Sequence, residues 1–91
     1  MDKDLEALRA EIAGIDADIA ELIGRRMKAA EHVASVKKRE GLPIVNPEAE
    51  ERVVQRYRDA AERLGISPEA MESVARILIA EAVRREEEVT R

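Results

Sequence analysis

Between Leu5 and Leu22 the large apolar residues fall in alternating steps of three and four: Leu5, Leu8, Ile12, Ile15, Ile19, Leu22. That spacing is the seam of a helix that packs lengthwise against another helix. The frame continues through position 26, Ala29, Val33 and Val36, and no proline interrupts the run from Asp4 to Glu40. A helix of about 36 residues is roughly 54 Å long at 1.5 Å rise per residue. The segments that follow are too short to cover it by folding back once. The seam therefore calls for a second long helix, and another copy of the chain is the simplest source. Gly14 and Gly24 fall at outward positions of the frame, where each weakens the helix slightly.

Two punctuation marks divide the rest. Gly41-Leu42-Pro43 breaks the first helix, and Asn46-Pro47-Glu48 starts a second, with an N-cap, a proline at the first helical position and an acid in the first turn. Val53, Val54, Tyr57, Ala60, Ala61 and Leu64 form its apolar face, and Gly65 ends it. Ser67-Pro68-Glu69 repeats the start signal for a third helix, whose face is Met71, Val74, Ala75, Leu78 and Ala82, with Val89 near its end. The expectation is an all-α single domain over residues 1–91, with helices at about 3–40, 47–64 and 68–89, completed as a bundle by a second copy.

Composition narrows the function. Apolar residues make up 45% of the chain and charged residues 40%, with one Tyr and no Phe or Trp, so the core is aliphatic and the outer faces are charged. The net charge is −4, with no basic block and no aromatic platform, which argues against a nucleic-acid partner. No apolar run approaches the roughly 18 residues that span a bilayer, and the acidic start is unlike a signal peptide, so a cytoplasmic protein without a membrane partner is expected. Without cysteine, and with a single His at position 32, neither a disulfide framework nor a metal site is expected. The serines Ser35, Ser67 and Ser73 have no local base, and no phosphate-binding glycine loop is present. An enzyme built from this chain has no nucleophile and no cofactor.

The informative residues are those that break the apolar pattern. Arg26 occupies a seam position. A guanidinium there meets a carboxylate of the protein, lies at an exposed bundle end, or receives a ligand carboxylate. Lys37 lies eleven residues on, three turns plus about 20°, so both cations share a face with Cα atoms roughly 16 Å apart along the axis. It is equally readable as part of the solvated run Lys37-Lys38-Arg39 favouring a helix C-terminus. Glu86 follows Leu78 and Ala82 on the apolar side of the third helix, or begins a fraying charged end with Glu87 and Glu88. Glu50 sits one turn into the second helix. Arg9 borders the seam about 25 Å along the axis from Arg26, out of reach of one small ligand within a chain, although an antiparallel partner brings its own Arg9 beside Arg26.

The run Leu5-x-x-Leu8-Arg9-x-x-Ile12-x-x-Ile15-Asp16, then Arg26, then Lys37 eleven later, resembles the all-helical (AroQ-class) chorismate mutases. Gly41-Leu42-Pro43-Ile44, Asn46-Pro47-Glu48 and Glu50 continue the resemblance, which covers essentially the whole chain without gaps. It implies an intertwined homodimer of three-helix chains acting in aromatic amino acid biosynthesis (the shikimate pathway). The implied reaction is an isomerisation, the intramolecular [3,3] rearrangement of chorismate to prephenate, without cofactor or metal. By position, Arg26 and the partner's Arg9 would hold the substrate carboxylates, and Lys37 would donate to the ether oxygen. Glu50, helped by Asn46, would hold the ring hydroxyl, while Glu86 would face the ether oxygen and would have to be protonated to donate to it.

The chain departs from the family pattern at three places. Ala49 stands where an arginine is usual, with Arg52 one turn later as a candidate replacement. Asn46 replaces a common Asp, and Ala82 replaces a small hydroxyl residue. Two rival readings remain: an isochorismate pyruvate lyase, which resembles this fold and also works by a pericyclic route, and a non-catalytic helical regulatory or interaction module.

Overall fold

The computed structural model describes residues 2–91. Three helices account for nearly all of them: α1 spans Asp2–Glu40, α2 Pro47–Leu64 and α3 Pro68–Thr90. The caps form where the sequence puts them. Asn46 Oδ1 accepts from the Ala49 N–H at 3.1 Å, and Ser67 Oγ accepts from the Ala70 N–H at 3.2 Å. Each satisfies a donor that the first helical turn leaves free. Gly41 and Gly65 close α1 and α2 with φ near +70°, a left-handed conformation that costs glycine little and a branched residue much. Among the described residues no helix is long and apolar enough to cross a membrane.

The packing is lopsided. The α3 helix packs against both α1 and α2, but no Cα of α1 comes within 8 Å of one in α2. A groove therefore runs between α1 and α2 with α3 as its floor. The α2–α3 ion pairs Glu51–Arg76 and Arg58–Glu72 run in opposite chain sense, which makes those two helices antiparallel. Hydrogen bonds from Arg76 and then Arg58 hold the Glu72 carboxyl below the usual carboxylate range.

Against α3, α1 does not use its seam. It buries Met27 and Ala34, one position round from the seam residues Arg26 and Val33. The seam itself is bare: every residue from Leu5 to Leu22 in the 3–4 pattern is about half exposed, Leu22 at 56%. The long axis of the molecule, 59 Å, is essentially α1. The radius of gyration is 16.7 Å, against the ~12 Å of a compact domain of this length. Half of the buried apolar positions are alanine (Ala34, Ala61, Ala75), so one copy has a thin core.

Three expected inward residues point out. Leu64 is 59% exposed because it is the last residue of α2, where Gly65 turns the chain away. Val74 lies one residue before the buried Ala75, hence about 100° round the helix from it. Val89 continues the Ala75–Leu78–Glu86 stripe by helical period, but it falls in the last turn of α3 and is 38% exposed.

Because Met27 is 4% exposed and Ile77 is 69% exposed, their truncations should differ sharply. Met27→Ala should lower the unfolding free energy by about 2–3 kcal/mol in urea titrations. Ile77→Ala should stay within about 0.5 kcal/mol of the parent.

Candidate active site

Each helix contributes to a cavity of about 350 Å³ in the groove. From α1 come Arg26 and Lys37, brought to one side by their eleven-residue spacing. The connection after α1 supplies Ile44 and Asn46, α2 supplies Ala49, Glu50 and Val53, and α3 supplies Ile79, Ala82, Val83 and Glu86. Five residues expected at a site, Arg26, Lys37, Asn46, Glu50 and Glu86, thus line one space. Arg9 does not. It is exposed on the N-terminal part of α1, away from the cavity of its own chain.

The alternatives left open by the sequence now separate. Glu86 is no frayed end: it lies within α3, is 6% exposed, and is the one buried charged residue among those described. Its Oε1 is 3.2 Å from Lys37 Nζ. The Lys37 side chain is mostly buried too, unlike its exposed neighbours Lys38 and Arg39. Its ammonium also donates to the Ile44 carbonyl at 2.5 Å. Two of its three donors are thereby used, and one remains for a ligand. Half-buried Arg26 forms no ion pair or hydrogen bond with any described residue. It lines the cavity without a partner, so it forms no core ion pair with the described residues.

Other features were outside the reach of the sequence, or went against it. The Ile44 carbonyl is a backbone acceptor, for which no side-chain pattern gives a signal. The apolar walls Val33, Val53, Ile79 and Val83 follow the helical period but look like ordinary core. Arg52 does not replace the arginine missing at position 49. It is exposed and outside the cavity, turned about 100° from the lining residue Val53. Asn46 spends its side-chain oxygen on the N-cap, leaving its NH₂ group to the cavity. His32 is on the surface.

The arrangement offers two cations and two carboxylates inside apolar walls. Such a site can hold a small polar compound in one pose and place positive charge beside a chosen atom. Among the described residues no three potential metal-ligating side chains converge.

Residues 8–87 match the family described as chorismate mutase type II. The T-protein of Enterobacter agglomerans is 36% identical over 83 residues, covering 91% of this chain and 22% of that protein. The T-protein of Haemophilus influenzae is 37% identical over 82 residues, covering 90% and 22% respectively. The chain thus spans about a fifth of the length of the curated relatives it matches.

Removing Lys37 alone strands a carboxylate that is 8% exposed at the side chain. Lys37→Met should destabilise the fold by about 3 kcal/mol in urea titrations at neutral pH. Adding Glu86→Leu to it should recover most of that loss, because the uncompensated charge goes with it.

Proposed function

This chain belongs to the type II chorismate mutase family, and from that premise we propose that it converts chorismate to prephenate. The ether C–O bond of the substrate breaks as a new C–C bond forms within the same molecule. No proton, nucleophile or cofactor enters that balance. The observation that carries the reading is Arg26, unpaired in a cavity with a spare Lys37 donor and the acceptor Glu50. Arginine's planar fork matches a carboxylate. Lys37 would donate to the ether oxygen and stabilise the charge growing there, and Glu50 would accept from the ring hydroxyl. Catalysis then comes from holding a compact reactive conformer and from fixed charge at the breaking bond.

A second copy completes the site in this reading. The seam is half exposed in one chain, and covering the rest of each Leu or Ile contributes on the order of 1 kcal/mol. Antiparallel pairing that sets Ile15 opposite Ile19 and Ile12 opposite Leu22 also sets Leu8 opposite Arg26. The partner's Arg9 then stands beside Arg26 and supplies the second carboxylate anchor. We place the homodimer in cytoplasmic aromatic amino acid biosynthesis.

Charge counting gives Glu86 its role. In the cavity the cationic side chains of Arg26 and Lys37 face the carboxyl groups of Glu50 and Glu86, and the partner's Arg9 would add one positive charge against a dianionic substrate. Protonating Glu86 supplies the second, frees Lys37 from its ion pair and makes Glu86 a donor to the ether oxygen. Asn46 and Glu50 favour the mutase over an isochorismate lyase, since they offer polar groups to a ring hydroxyl.

Incubation with chorismate should yield prephenate, and activity should rise as pH falls below neutral. Glu86→Gln should raise activity at neutral pH and flatten the profile between pH 5 and 8; an unchanged profile would remove Glu86 from the reaction. Pyruvate from isochorismate would mark a lyase, and an intact helical dimer inert to both would mark a non-catalytic module. Arg26→Ala should abolish turnover while leaving the protein helical. Ile12→Asp should split the dimer in sedimentation and abolish turnover with it.

A further inference from the structure

We propose that Arg85, through its ion pair with Glu31, positions Glu86 against Lys37 and so sets the rate without touching the substrate; this rests on the mutase reading above. Among the described residues two ion pairs join α1 to α3: Lys37–Glu86 at 3.2 Å and Arg85–Glu31 at 3.0 Å. The first lies in the cavity, and a ligand that draws on the Lys37 ammonium competes with it. Neither Arg85 nor Glu31 lines the cavity. Their pair is the tie that persists when the site is filled.

Its location gives it leverage. Arg85 immediately precedes Glu86, and Glu31 lies on α1 between Arg26 and Lys37. Rotation of α3 about its axis carries the Glu86 carboxylate sideways, by about 1 Å for 10° at a helix radius of 5–6 Å. A misplacement of about 1 Å can cost up to a hundredfold in rate. The buried apolar contacts, Met27 and Ala34 on α1 with Ala75 and Leu78 on α3, are non-directional, whereas the Arg85–Glu31 pair ties one named point of α3 to one named point of α1 next to Glu86. The Arg85 and Glu31 side chains are 31% and 25% exposed, so solvent screens their pair only in part. Lys28 also approaches Glu31, at 3.7 Å, but its side chain is 73% exposed and it cannot take over.

Steady-state kinetics with chorismate, together with the ¹⁵N resonance of the Lys37 ammonium in the ligand-free protein, test this. Arg85→Met keeps the aliphatic stem and removes the charge. It should lower kcat about tenfold, leave KM within about twofold, and shift the Lys37 resonance with helical content unchanged. Glu31→Gln should do the same, and the two together should be no worse than either alone. The reversed pair, Glu31→Arg with Arg85→Glu, should restore both kcat and the resonance. An unmoved Lys37 resonance in folded Arg85→Met, or additive losses in the double variant, would overturn the proposal. A parent protein inert to chorismate would instead overturn the mutase reading, and the resonance would still decide whether Arg85 positions Lys37 and Glu86.

Discussion

A carboxylate as buried as Glu86 needs a cation, and meeting that need ties together the parts of this molecule that would otherwise be loosely joined. Lys37, in the last turns of α1, reaches Glu86 of α3 and the Ile44 carbonyl with one ammonium. The contact to Ile44 fixes the connection that leads to Asn46, and Asn46 caps α2. The start of α2 is thereby held over the groove, which delivers Glu50 to the cavity. Without that ammonium, α1 and α2 have no approach of their own, since only α3 bridges them.

The long helix does two jobs with two faces. One stripe, marked by Met27 and Ala34, packs on α3. The neighbouring stripe is the 3–4 seam, half exposed along its whole N-terminal part. Arg26 sits at the border, one residue from Met27 on the helix and in line with the seam. A guanidinium at that border is held by the fold on one side and open on the other. It is left without a partner among the described residues and lines the cavity, where an anion could reach it.

Much of this was legible in the residues. Helix ends were written in Asn46-Pro47, Gly65 and Ser67-Pro68, because caps act through local backbone chemistry. The shared face of Arg26 and Lys37 followed from helical period alone. Glu86 was ambiguous for a physical reason: a glutamate after Ala82 has the same spacing in a frayed end and a buried pair, and only its partner 49 residues away decides. Met27 and Ala34 were missed as the α3-facing stripe since the stronger seam beside them dominates the pattern. Val74 failed because one residue of offset turns a side chain about 100°. The Ile44 carbonyl had no signal, as every residue carries one. Arg9 lies exposed and away from the cavity of its own chain, so its proposed part in a site rests on a second copy.

Ala49 sharpens what the site has to accomplish. With alanine there and Arg52 turned outward, one chain offers an anionic ligand Arg26 and a Lys37 that Glu86 already neutralises. Binding a dianion in such a place requires positive charge from outside the chain, from a proton, or from both. In the proposed dimer a second protomer would supply an arginine, and a protonated Glu86 would release Lys37. The same carboxylate that knits α1 to α3 thus competes with an anionic ligand for the Lys37 ammonium. In the proposed reaction, the contact that stabilises the fold and the one that would stabilise the transition state draw on the same ammonium. The ion pair beside it, Arg85 with Glu31, keeps the helices in register while that ammonium changes partners.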